Sequence, residues 1–222
     1  MLFEKISNNI ASAISKTLQV DKDKQDVLAY GAYIVLDTLL AIGMVMLFGA
    51  IFGVFFQALV ISFASAILRK TSGGAHATTS IRCATIGTVS SVGFALIIRH
   101  FKSYFNMPLA IAYLLMTFII SYYIILTLAP KDSPNKPIVK ESKIKELKAK
   151  SIATLCIYAA ASLIIITFSW YYKNQIFLPY VALICTGYLW QSVSLTSLGR
   201  LITYVMEWPF RFINFIIGGE NK

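Results

Sequence analysis

The sequence predicts an all-α integral membrane protein of about six transmembrane helices, preceded by an amphipathic interfacial helix. Three observations carry that prediction. Of 222 residues, 57% are hydrophobic and 14% charged, where a soluble domain has roughly 45–50% apolar and about 25% charged residues. The mean hydropathy is +0.70. The apolar residues fall in long runs that are almost free of charge, and the basic residues fall between them. This composition excludes a water-soluble enzyme, a disordered chain and a disulfide scaffold. Three cysteines are also too few and too scattered for a Cys-rich zinc framework.

The elements follow in chain order. Leu2, Phe3, Ile6, Ile10, Ile14 and Leu18 recur at helical spacing among Glu4, Lys5, Asn8, Ser12, Ser15 and Lys16, the pattern of an amphipathic helix lying on a membrane surface. No continuous apolar core follows the first charge, so this stretch does not read as a signal peptide. Crossing ~30 Å of hydrocarbon takes roughly 20 residues of helix. The run 27–68 contains a single charge, Asp37, and is long enough for two spans, with Gly49 and Gly53 marking the hairpin between them. Residues 83–98, 107–129, 151–172 and 176–198 supply the third to sixth spans. The tail 201–217 mixes Tyr204, Trp208, Phe210, Phe212 and Phe215 with Glu207 and Arg211 and reads as interfacial. The organisation predicted is therefore an N-terminal helix over 1–26, a membrane domain over 27–198 with polar links at 69–83 and 130–150, and a C-terminal segment over 199–222.

The net charge of +10 sets the orientation. With the N-terminus in the cytoplasm, seventeen of the twenty Lys and Arg residues lie inside, against Arg99, Lys102 and Lys173 outside. The positive-inside tendency favours this topology, with both termini cytoplasmic, and disfavours its inverse.

The densest polar stretch is Arg69-Lys70-Thr71-Ser72-Gly73-Gly74-Ala75-His76-Ala77-Thr78-Thr79-Ser80-Ile81-Arg82-Cys83. Gly73-Gly74 breaks the helix. Thr78, Thr79 or Ser80 can cap a new one, which places Cys83 in or just after its first turn. A thiol near a helix N-terminus beside Arg82 has its thiolate favoured. Cys and His are the minimal nucleophile and base for acyl transfer. Seven residues apart on one helix they would stand ~10 Å apart, beyond the ~3 Å reach of a base. The pair works only if His76 lies on a loop folding back over the helix start. The bland alternative is an interfacial histidine and a small buried thiol. Asp37 is the sole acid within the first five spans. It reads either as a functional carboxylate that could orient His76 or as a neutral or paired structural residue, since it lies ~15 Å into span one. His100 is at the far end of span three, and Cys156 and Cys185 read as packing residues.

These residues carry a resemblance. Arg69…Ser72-Gly73-Gly74-Ala75-His76-Ala77 with Cys83 seven residues on is similar to the signature of the AgrB family, bacterial membrane peptidases that mature quorum-sensing peptides. Ala129-Pro130…Lys136-Pro137-Ile138 resembles that family's second element, after the fourth span. Length, span count and the basic stretch agree over essentially the whole chain. One departure is Tyr33, where relatives often carry Glu or Gln. The resemblance implies Cys83 as nucleophile and His76 as its base. Arg69, Lys70 and Arg82 flank the pair and read either as binding an acidic peptide tail or stabilising developing negative charge, or as a topology anchor at the lipid headgroups, with Arg69 matching the family motif. Gly73 and Gly74 allow close backbone approach, and their amides could serve as an oxyanion hole. The resemblance implies an AgrD-like propeptide substrate with an amphipathic leader, a central Cys or Ser and an acidic C-terminal tail. It also implies a homodimer in the bilayer, and no metal or cofactor. The link 131–150, with seven lysines against Asp132, Glu141 and Glu146, could also attract the acidic tail. No soluble motif accompanies the charge to suggest nucleic acid. The competing readings are a six-span transporter or exporter with Asp37 as coupling site, and a non-catalytic membrane adaptor.

Overall fold

The computed structural model describes residues 2–74, 79–131 and 141–217, with side chains over 3–74, 79–131 and 141–210. Within these residues the chain is a bundle of eight α-helices: α1 (Leu2–Leu18), α2 (Lys22–Ile51), α3 (Phe55–Ser72), α4 (Ser80–Phe101), α5 (Met107–Leu128), α6 (Glu141–Tyr171), α7 (Leu178–Ser194) and α8 (Ser197–Ile217). His76 and residues 132–140, including Lys136-Pro137-Ile138, lie outside the described residues.

Five helices, α2, α4, α5, α6 and α7, are long and apolar enough to cross a membrane. The place of the second expected span is taken by α3, which is shorter. Its run of membrane-compatible residues, Phe55–Leu68, amounts to about 21 Å of helix before Arg69-Lys70-Thr71-Ser72 closes it. Short as it is, α3 sits centrally and packs against α2, α4, α6 and α7. Its closest neighbour is α7, where Gly187 permits the approach: a Cβ there would stand 2.7 Å from both the Ile61 carbonyl and the Ala64 Cβ. Tyr158 of α6 donates to the Ala64 carbonyl at 3.0 Å on another side of α3.

Two elements differ from the sequence expectation. Residues 141–150 belong to α6 and not to the link before it. Glu141–Lys145, Glu146–Lys143 and Glu146–Lys150 pair three or four residues apart, the spacing that supports a helix in water. The sixth span ends at Ser194, and a tight turn at Leu195 and Thr196 starts α8. That turn needs Gly199, where any Cβ would overlap the Val193 backbone.

Both terminal segments expected to be amphipathic are helical, α1 and α8. In α1 the small residues Ser7, Ala11 and Ser15 are buried, while Ile6, Ile10 and Ile14 are exposed. The helix packs on α2 through its small-residue side and turns its apolar stripe outward. In α8, Glu207 is buried.

A candidate active site at the basic end of the bundle

Two side-chain bridges, one at each end, fix how α2 and α4 lie. Tyr33 on α2 shares a 2.5 Å hydrogen bond with Ser80, the first residue of α4. At the opposite end Arg99 donates to the Phe52 and Gly53 carbonyls at 3.3 and 2.9 Å, capping the end of α2. Tyr33–Ser80 and Phe52–Arg99 are both 47 residues apart, so the helices run parallel with a constant offset. That offset places Asp37 opposite Ala84, one residue past Cys83. Asp37 is thus one helical turn inside the Tyr33–Ser80 contact, at the level of the thiol. Along α2 Asp37 still lies ten residues, ~15 Å, past Val27, and the register of the two helices sets Cys83 at the same level.

Thr79 caps α4, accepting from the Arg82 amide at 3.4 Å. Cys83 follows as the fourth helical residue, its amide donating to the Thr79 carbonyl at 3.0 Å. Cys83 is a free, partly exposed thiol, whereas Cys185 is buried and Cys156 is exposed on α6. A cavity of about 600 Å³ opens beside it. Asp37 lines it from α2, Arg69 and Lys70 from α3, Cys83 and Gly87 from α4, Trp190 and Ser194 from α7, and Thr203 from α8. Deeper, Ala41, Ile42, Val45, Phe63, Ala66 and Ile86 make the cavity apolar. One oxygen of Asp37, Oδ1, is buried with no hydrogen-bond partner among the described residues. Arg69 and Arg82 each make a polar interaction of their own.

The break between α3 and α4 is held from two sides. Gly73 has φ +69° and Gly74 φ +143°, backbone that side chains disfavour. The Gly73 amide donates to the Arg69 carbonyl at 3.0 Å, closing α3, and is therefore already engaged where an oxyanion hole would need it free. From α7, Gln191 is 1% exposed; its Nε2 donates to the Gly73 carbonyl at 2.6 Å and to Ser72 Oγ at 3.1 Å. From the other side, the Lys131 amide donates to the Ser72 carbonyl at 2.9 Å and the Lys131 ammonium to the Leu195 carbonyl at 2.7 Å. Burial, and then the Arg200 charge, lower the Lys131 pKa from its ordinary value. A Cβ at Gly73 would overlap the Lys131 carbonyl, and one at Gly74 would stand 2.7 Å from Ser194 Oγ. The two sequence motifs, Arg69–Cys83 and the one starting at Ala129-Pro130, therefore meet in space at Gly73 and Lys131.

The structure thus brings Asp37, Arg69 and Cys83 to one cavity and puts Gly73 and Gly74 in its adjoining turn, with Arg82 in the first turn of α4. Gln191 and Lys131 are the residues that sequence reasoning misses. A single amide within an apolar run carries no local signal, although the buried cost of an unpaired amide is reason to expect a partner. Among the described residues no three His, Cys, Asp or Glu side chains converge as a metal site.

Residues 7–195 match the family model described as accessory gene regulator B. The chain is 32% identical over 209 residues to AgrB-like protein 2 of Clostridium perfringens strain 13, covering 93% of this chain and 97% of that protein. It is 29% identical over 207 residues to an AgrB-like protein of strain SM101 of that species, with the same coverage. Both names assert likeness and no activity. No solved structure gives a significant match.

Proposed function

The chain belongs to the accessory gene regulator B family, and on that premise we propose that it is a membrane cysteine endopeptidase that cuts and cyclises a quorum-sensing propeptide. Family membership ties this multi-pass membrane protein to the agr system. The finer reading rests on one observation: Cys83 stands in the first turns of α4 on the wall of a 600 Å³ cavity. A partly exposed thiol on the wall of a largely apolar cavity suits nucleophilic acyl transfer.

In this reading the Cys83 thiolate attacks the carbonyl carbon preceding the propeptide's acidic tail. The C–N bond breaks, His76 passes its proton to the departing amine, and the tail leaves. A thioester joins the remaining peptide to Cys83. An internal thiol of the peptide, giving its proton to His76, then attacks that thioester and expels the Cys83 thiolate, closing a thiolactone. This second step exchanges one thioester for another, so positioning is its main requirement. The basic end faces the cytoplasm on the evidence of the lysine and arginine distribution, and Arg69, Lys70 and the lysines after Lys131 attract the acidic tail. Asp37 stands one turn past the Tyr33–Ser80 contact and lines the same cavity as the Cys83 thiol.

The test is reconstitution in liposomes with a propeptide that carries an amphipathic leader, an internal Cys and an acidic tail. Wild type releases the tail; Cys83→Ala and His76→Ala do not, while still inserting in the membrane. Tail release by Cys83→Ala at the wild-type rate would overturn the reading.

A further inference from the structure

Asp37 is left without a structural task. Its Oδ1 is buried without a hydrogen-bond partner among the described residues, on the wall of the cavity that also holds the thiol. A buried polar atom in a native structure usually has a partner, and an ionisable side chain at membrane depth is a functional candidate. The parallel register of α2 and α4, with a constant offset of 47, holds this oxygen at the level of Cys83 and slightly deeper. A carboxylate oxygen only accepts, so what completes it must be a donor. Arg69 and Lys70 line the same cavity from α3, which makes the space unfavourable for an incoming cation. A neutral N–H is such a donor, and a peptide presents one every ~3.5 Å of extended chain.

We propose that Asp37 is a substrate-binding residue that accepts a backbone N–H of the peptide segment immediately before the cleaved bond, setting which carbonyl meets Cys83. The inference rests on the peptidase reading above. The segment enters toward the apolar depth at Ile42, Val45 and Phe63, while an acidic tail stays at the mouth beside Arg69 and Lys70. A hydrogen bond from an amide to a buried carboxyl oxygen selects one register over the next, which would place a methylene or carbonyl against that oxygen.

The test needs no knowledge of the natural peptide. Two reagents alkylate Cys83: iodoacetamide, which has no backbone to recognise, and N-acetyl-leucyl-leucyl chloromethyl ketone, from which the sulfur displaces chloride. A third is the same ketone with both backbone amides N-methylated. Full-length protein in liposomes is treated with each, and labelling of Cys83 is located by peptide mass spectrometry. Relative to iodoacetamide, Asp37→Ala should react with the N–H ketone about tenfold more slowly than wild type, the effect of one hydrogen bond to a charged group. With the N-methyl ketone the two proteins should react alike, and Asp37→Asn, which keeps an acceptor oxygen, should retain most of the wild-type rate. An equal rate for Asp37→Ala and wild type with the N–H ketone overturns the proposal. So does an Asp37→Asn protein as slow as Asp37→Ala, which would show that charge and not acceptance is needed. Labelling of wild type by iodoacetamide and by neither ketone overturns both the Asp37 role and the peptidase reading. Ketone selectivity without release of a propeptide tail overturns the peptidase reading alone.

Discussion

The two ends of the α2–α4 pair hold similar side chains to different purposes. At one end Arg99 reaches across to the Phe52 and Gly53 carbonyls and closes the bundle. At the other, an acid, a thiol and two cations surround a cavity, and the acid's buried oxygen is left open. Both ends are tethered by one side-chain bridge, Arg99–Phe52 and Tyr33–Ser80, so the difference does not come from loose assembly. It comes from α3, which ends in Arg69–Ser72 short of a full membrane thickness and turns at Gly73-Gly74, leaving room between α2 and α4.

Substitutions can break that contrast. The largest effect is expected from Gly73→Ala, which forces a side chain into φ +69° and against the Lys131 carbonyl. It should lower tail release at least 100-fold while the protein still inserts in the membrane, as read by assaying equal amounts of liposome-embedded protein. Gln191→Leu should come next. It leaves the Gly73 carbonyl and Ser72 hydroxyl without their donor, at a cost of about 1–3 kcal/mol. Turnover should fall about tenfold, with a smaller change in KM, because the turn beside the nucleophile loses its clamp and the cavity keeps its walls. Arg99→Gln should do least to activity: tail release stays within about twofold, and thermal unfolding in detergent registers a loss of about 1 kcal/mol. An Arg99→Gln protein that folds normally but cannot cleave would erase the distinction between the two ends.

How much of this was legible in the sequence follows from what each signal depends on. Local chemistry reads well. The Gly-Gly break, the threonine cap before Cys83 and the amphipathic pattern of α1 are all set by residues within a turn or two of one another. The extension of α6 back to Glu141 is also local, through its Glu–Lys pairs at helical spacing, yet a count of lysines alone assigns those residues to a link. Depth and register are different. Whether Asp37 stands beside Cys83 depends on the offset between two helices separated by a third, and nothing near Asp37 in the chain states it. The contact of Gly73 with Lys131 and the reach of Gln191 over 118 residues to the Gly73 carbonyl are tertiary in the same way. The motif at Ala129-Pro130 is readable as a second element by resemblance, but its contact with the Gly-Gly turn is visible only once the chain is folded.

The central claim is that the Cys83 sulfur forms a covalent bond to the peptide. The most direct measurement is mass spectrometry of the liposome-embedded protein, quenched in acid during turnover of a propeptide whose internal Cys is replaced by Ala, so that no thiol is available to resolve the thioester. The account predicts an adduct on the peptide containing Cys83, equal in mass to the propeptide without its tail and removed by hydroxylamine. Release of the tail with Cys83 unmodified throughout turnover would contradict it.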